Sequence, residues 1–346
     1  MRSLIFLVFI VLASCSHPTP RFDVGYRSVF LSDSSRIFNP ELEATKLMHF
    51  RPIDIDVWYP TDSVSIPSET IEYGYFLGLL ESRALKYLDN PAYKGFTAQM
   101  ANDIVGQLKC SDTSRFLHYK TASYLNRNQS KGTFPLVIYL ASYNGMGYEN
   151  VPLMESLVKK GFVVASVNSI GRYPGDMTTK KEDLMEQVND AIKVYSYCKS
   201  IPGVDTTNIT LIGYSWGGLA AALLSPHITH LKRIISLDGS EFHHYSGGSA
   251  EDKDFDSLRS FSAFKDLKIK VPYFRFEQSA VDTSAHYDSV YNFKEKLANS
   301  QVSIQKVSGA EHIDFSSFRY IVNQSGNCPS KSLFIDSVVK IIATKE

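Results

Sequence analysis

The sequence predicts an α/β fold with a mostly parallel central sheet, crossover helices and a helical insertion near its N-terminal side. Three observations carry that expectation. Short apolar runs of strand length recur at 136–140, 162–167, 209–212, 234–237, 271–276 and 302–307. Segments of helical periodicity lie between them: Leu153, Leu157 and Val158 before a stop at Gly161, then Leu184, Val188, Ile192, Tyr195 and Cys198. Strands that alternate with helices pair in parallel, because each crossover must bury its one apolar face on the sheet. Third, the 209–212 run ends in Gly213-Tyr214-Ser215-Trp216-Gly217-Gly218 and passes directly into Leu219-Ala220-Ala221-Ala222-Leu223-Leu224, a run of good helix formers.

From the start of the chain, Met1-Arg2-Ser3 leads into an apolar run over 4–12 and then the small residues Ala13 and Ser14 before Cys15. This is the pattern of a signal peptide over 1–14, and the run is well short of the roughly 20 residues that span a bilayer. Leu12-Ala13-Ser14-Cys15 also resembles the bacterial lipobox. That resemblance implies cleavage before Cys15, a diacylglycerol on its sulfur, and export as a membrane lipoprotein on the periplasmic or cell-surface side. Residues 15–21, with two prolines and no periodicity, read as a tether from lipid to domain. Cys110, Cys198 and Cys328 then remain, which allows at most one intramolecular disulfide in an exported chain.

The domain is expected over 22–346. Ile53-Asp54-Ile55-Asp56-Val57-Trp58-Tyr59 alternates apolar and polar residues before Pro60, the signature of a half-buried strand. Residues 61–132 interrupt the order of strands: Phe76, Leu79, Leu80, Ala84 and Leu88, then Phe96, Met100, Ile104 and Leu108, predict two helices with no strand between them. This inserted pair either packs against the sheet or caps a substrate pocket. A chain of 346 residues, 44% hydrophobic, can fold as one large α/β domain or two smaller ones, and the motif order favours one. Lys plus Arg and Asp plus Glu balance at 36 each, so no excess charge draws the protein to nucleic acid.

The Gly213 to Gly218 motif has the context of a nucleophile elbow. Glycines at 213 and 217 make room where the chain doubles back from strand to helix, so that Ser215 projects its hydroxyl into a cleft beside the helix N-terminus. A serine hydroxyl needs a base, and in such a fold the base follows the last strand; Gly309-Ala310-Glu311-His312 sits there. None of the nine histidines shows zinc-ligand spacing, and neither metal nor cofactor is expected. An oxyanion would be met by the backbone N–H of Trp216 and by one from the loop Ala141-Ser142-Tyr143-Asn144-Gly145-Met146-Gly147, where Met146 is the candidate. The acid that orients His312 is either Asp238, directly after the 234–237 run, or Asp282, beyond the 271–276 run, and chain order does not choose.

With these residues in hand, the chain resembles the platelet-activating-factor acetylhydrolase and dienelactone-hydrolase-like branch of the α/β-hydrolases. Val24-Gly25-Tyr26-Arg27, Asp33-Ser34-Ser35-Arg36 and Asp56-Val57-Trp58-Tyr59-Pro60 look like its opening strands; the elbow, Leu237-Asp238-Gly239 and the 309–315 segment supply the rest. The resemblance implies the α/β-hydrolase fold and favours Asp238 as the acid, on its offset of 23 residues (238 − 215) from the serine. It implies hydrolysis of a carboxylic ester, small or lipid, through an acyl-enzyme. A peptidase or acyltransferase would use the same residues, and an inactive binding lipoprotein is the alternative outside catalysis. Tyr143-Asn144-Gly145 and Trp216 depart from the family's usual His-Gly pair and its smaller residue after the serine, which implies a reshaped acyl pocket.

Overall fold

Apolar side chains on alternate faces of the strands organise the molecule: in the strand Phe134–Leu140, Leu136, Ile138 and Leu140 enter one core, while Val137 and Tyr139 enter the other. The computed structural model describes residues 22–38, 49–63, 69–88, 91–143, 147–168, 180–242, 253–254, 257–258, 260–278, 293–323 and 334–343. The expected signal peptide and tether, with Cys15, lie outside these residues, as does Cys328.

The strands are β1 (Asp23–Ile37), β2 (Phe50–Thr61), β3 (Ser123–Leu125), β4 (Phe134–Leu140), β5 (Val163–Val167), β6 (Val204–Tyr214), β7 (Leu231–Leu237), β8 (Tyr273–Gln278) and β9 (Val302–Val307). Among the described residues they form one sheet in the order β3-β1-β2-β5-β4-β6-β7-β8-β9. Only β2 runs against its neighbours; all other pairings are parallel. The helices are α1 (Tyr73–Leu88), α2 (Phe96–Gln107), α3 (Thr113–Leu117), α4 (Val151–Val158), α5 (Lys181–Cys198), α6 (Trp216–Leu224), α7 (Ser262–Lys265), α8 (Phe318–Asn323) and α9 (Phe334–Ala343). Side chains of α5, α6 and α7 bury against one face of the sheet, and those of α1 to α4, α8 and α9 against the other. This is the α/β-hydrolase architecture, and each of the six apolar runs after residue 135 lies on one of its parallel strands.

The strand order also sets where a site can form. The chain leaves β4 for β5 on one side and returns past β4 to β6 on the other, so the connections diverge at the C-terminal ends of β4 and β6. At such a switch point the two loops part and leave a crevice.

Two expectations need correction. The strand over 53–60 is buried on both faces, not half-buried, because α1 covers the side carrying its carboxylates. Asp56 accepts hydrogen bonds from Tyr26 (2.5 Å), Tyr148 (2.7 Å) and Arg83 (3.1 Å), and Asp54 from Tyr87 (2.6 Å), so the polar half of the alternation is satisfied inside the protein. The 61–132 stretch contains a third short helix, α3, and the three-residue strand β3, which adds to the sheet edge beside β1. α1 packs Phe76 against Tyr26, Trp58 and Tyr148 with ring centroids 5.0–6.0 Å apart. Cys198 is a free, buried thiol and Cys110 is disulfide-bonded.

Glu155 on α4 is only 4% exposed and accepts a hydrogen bond from the Ser123 hydroxyl at 2.6 Å. Burial pushes its carboxyl from 4.5 up to about 7, against the lowering effects of Ser123 and Lys159. A raised folded-state value means that its contribution to stability is full below the unfolded value and is lost as pH rises through about 7. Between about pH 5 and pH 8 the wild type should therefore lose about 2–3 kcal/mol relative to Glu155→Gln, measured by urea unfolding at both values. Parallel pH dependence in the two proteins would contradict this.

Candidate active site

The turn after β6 is built by steric necessity. Ser215 holds φ 54° and ψ −121°, a conformation that a non-glycine residue rarely adopts, and α6 starts at the next residue. A Cβ on Gly213 would come within 2.0 Å of the Gly217 carbonyl oxygen, and one on Gly217 within 2.1 Å of that of Leu140. The strand and the helix are therefore closer than any side chain permits, and β4 is packed against both. The Ser215 N–H donates to Leu237 at 3.0 Å, and the Ser215 carbonyl accepts from Ser240 at 2.9 Å, so the elbow is bonded to the chain on either side of Asp238.

Asp238 directly follows β7 in its own positive-φ conformation, φ 45°. Its N–H donates to Phe276 at 2.7 Å and its Oδ1 accepts from the Gln278 N–H at 3.1 Å. Oδ2 lies 2.7 Å from His312 Nδ1, and His312 Nε2 lies 3.0 Å from Ser215 Oγ. Asp238 is fully buried, whereas the His312 side chain is 45% exposed. His312 opens a 3-10 turn, His312–Phe315, whose Glu311 and Asp314 cap one another's backbone. The Tyr214 ring stacks on the imidazole with centroids 5.2 Å apart, and its hydroxyl donates to the His312 carbonyl at 3.0 Å. A hydroxyl, an imidazole and a carboxylate in series can draw a proton from the hydroxyl as it attacks a carbonyl.

Beneath Asp238 lies a buried ionic cluster. Arg275 sits 3.0 Å from Glu241, 2.9 Å from Glu277 and 4.0 Å from Asp238, and donates to the Gly239 carbonyl at 2.8 Å. Burial works against the Arg275 charge, but Glu241 and Asp238 outweigh it and hold the guanidinium above its ordinary range.

On the other side of Ser215, Trp216 opens α6, where first-turn backbone N–H groups have no acceptor within the helix. The end of β4 packs against this turn, the Leu140 and Ala141 carbonyls lying beside Gly217. Ala141 accepts from the Gln187 side chain at 2.9 Å, the Ser142 N–H donates to Glu149 at 2.9 Å, and the Gly147 N–H donates to Asn168 at 2.8 Å. Met146, the candidate second oxyanion donor, lies outside the described residues, and so does Asp282. The structure thus brings Ser215, His312 and Asp238 together, with Trp216 adjoining. Glu149, Gln187, Tyr214, Glu241 and Arg275 carry no catalytic signature in the sequence, because their partners are brought together only by the folded sheet and its loops; Arg275 stands as one charge inside the apolar run of β8.

The family model described as Dienelactone hydrolase family matches residues 122–319, more than half the chain. The chain belongs to the dienelactone hydrolase family. The matched span runs from β3 to α8 and takes in Ser215, Asp238 and His312. Among solved structures, a ferulic acid esterase from Streptomyces cinnamoneus is similar with a TM-score of 0.57 and 16% identity, over 95% of this chain and 90% of that one. An esterase from Rhizomucor miehei is similar with a TM-score of 0.51 and 10% identity, over 92% and 82%. At such identities the likeness is one of fold. Among curated protein sequences nothing matches the chain.

The elbow geometry yields a direct expectation for this family member. Gly213→Ala and Gly217→Ala should each lower stability by at least about 2 kcal/mol, because backbone atoms, not flexible side-chain ends, occupy the space of the new methyl. Thermal unfolding checks this, and a variant with an unchanged midpoint would mean that the elbow relaxes.

Proposed function

We propose that the protein is a serine hydrolase of carboxylic esters, exported and held at a membrane by a lipid on Cys15. The observation that carries the catalytic part is the chain of contacts from Ser215 Oγ through His312 to Asp238, at 3.0 and 2.7 Å. Ser215 Oγ attacks the acyl carbon while His312 Nε2 takes its proton; Asp238 holds the ring by Nδ1 and stabilises its charged form. The carbonyl oxygen becomes an oxyanion, met by the Trp216 N–H and by a second donor from the 141–147 loop, for which Met146 is the candidate. The C–O bond to the leaving alcohol then breaks and His312 gives it the proton. Water repeats the sequence on the acyl-enzyme, releasing the acid and restoring Ser215. No step calls on a metal or organic cofactor.

The substrate is a small-molecule or lipid ester, in keeping with the resemblance of the motifs to the platelet-activating-factor acetylhydrolase branch. Membrane attachment rests on the lipobox-like Leu12-Ala13-Ser14-Cys15; no helix among the described residues is long and apolar enough to cross a bilayer.

Hydrolysis of p-nitrophenyl esters of graded chain length tests the catalytic reading. Ser215→Ala should fall below about a thousandth of the wild-type rate with an unchanged circular dichroism spectrum. Asp238→Asn should lose orders of magnitude because the amide favours the wrong histidine tautomer, while Asp282→Asn changes little. Retained turnover in Ser215→Ala would overturn the assignment, and the reverse pattern for the two aspartates would move the acid to Asp282. Separately, Cys15→Ala should release the protein from the membrane fraction with soluble-ester activity intact; undiminished membrane association would remove the lipid from the account.

A further inference from the structure

Glu149 is the buried acid nearest in sequence to the loop after β4, and neither end of its backbone or side chain faces water. It is 1% exposed. Its Oε1 accepts from the Tyr139 hydroxyl at 2.8 Å and the Ser142 N–H at 2.9 Å, and its Oε2 from the Ser142 hydroxyl at 2.7 Å. Its own carbonyl accepts from the Ser317 N–H at 2.7 Å. Asn150, fully buried beside it, donates to the Tyr139 hydroxyl at 2.7 Å and the Phe315 carbonyl at 3.1 Å, and accepts from the Ser317 hydroxyl at 2.9 Å. One dipeptide therefore bonds Ser142, just after β4, and also the segment three to five residues beyond His312.

A carboxylate is a costly group to bury among hydroxyls and amides alone. Burial pushes the Glu149 carboxyl up to about 7, although Ser142 and Tyr139 pull it down. Packing by itself would be served as well by an apolar residue. What the carboxylate does that an apolar residue does not is fix the Ser142 N–H and hydroxyl at once, and through them the direction in which the loop leaves β4. Oxyanion donors act when preorganised at about 2.7–3.1 Å from where the charge develops and held there to within about half an ångström.

On the reading of the protein as a serine hydrolase, we infer that Glu149 is a positioning residue: it fixes Ser142, from which the chain runs on to the proposed second oxyanion donor, relative to the segment after His312. It touches neither substrate nor the reacting atoms. Its loss should therefore weaken transition-state stabilisation and leave ground-state binding nearly unchanged.

The test compares wild type with Glu149→Leu, Glu149→Gln and Ser142→Ala on a p-nitrophenyl ester and on its thiono analogue, in which sulfur replaces the carbonyl oxygen and accepts hydrogen bonds weakly. Glu149→Leu should lower kcat on the oxygen ester roughly 10- to 100-fold with KM within about threefold. The loss on the thiono ester should be several-fold smaller. Glu149→Gln, which keeps an acceptor for Tyr139 and the Ser142 N–H, should recover part of the rate. If Glu149→Leu does not fold, Glu149→Gln and Ser142→Ala carry the same comparison, with smaller losses. Wild-type kcat in the folded variants, or equal losses on the two esters, would overturn the inference. A wild type that turns over neither ester would instead overturn the serine-hydrolase reading on which it rests.

Discussion

The strained backbone of Ser215 sets the terms for everything around it. A residue at φ 54° is held there only if its surroundings leave no alternative, at a cost of order 1–3 kcal/mol. Here the constraint is double. Gly213, Gly217 and the Leu140 carbonyl are in such close approach that the strand cannot continue straight, and the Ser215 N–H and carbonyl are bonded to Leu237 and Ser240. Those two partners flank Asp238, so the bonds that hold the serine also fix the acid. Asp238, itself at positive φ, is tied in turn to β8 through Phe276 and Gln278. Serine and acid are thus set by backbone bonds among three adjacent strands, and only His312 arrives on a separate segment.

That division matches what each group has to do. Asp238 is buried over a cluster in which Arg275 is shared by Glu241 and Glu277, so removing the guanidinium would leave buried carboxylates without their counter-charge. His312 is nearly half exposed, as the proposed proton exchange with an alcohol and with water requires. Its ring is kept in place by the Asp238 carboxylate on one edge and by the stacked Tyr214 ring on its face. The side of the site toward β4 repeats the pattern, with Glu149 and Asn168 fixing the loop ends at Ser142 and Gly147 and Asn150 bonding the Phe315 carbonyl, all through buried hydrogen bonds.

Much of this was legible in the sequence where the signal is local. The runs that became β4 to β9, the periodicity of α4 and α5, and the glycine spacing around Ser215 depend on residues within a few positions of one another. The three-residue β3 carries too few side chains to show a period and exists because β1 offers it an edge. The alternation over 53–60 was visible, but its polar half looked solvent-facing because Arg83 and Tyr87, which satisfy Asp56 and Asp54, lie some thirty residues away. Between Asp238 and Asp282 only the family resemblance favoured Asp238, since chain order does not contain the 2.7 Å between Asp238 and His312. Glu149 and Arg275 carried no motif at all, since their partners are assembled only by the sheet.

The central claim is that Ser215 is the nucleophile activated by His312, and the most direct measurement is the site of covalent capture. The wild-type protein would be treated with a fluorophosphonate, digested and mapped by mass spectrometry. The account predicts one phosphonyl adduct, on the peptide bearing Ser215, formed quickly at neutral pH and lost when His312 is replaced by alanine. A protein that stays unlabelled, or that carries the adduct on another serine, would contradict it.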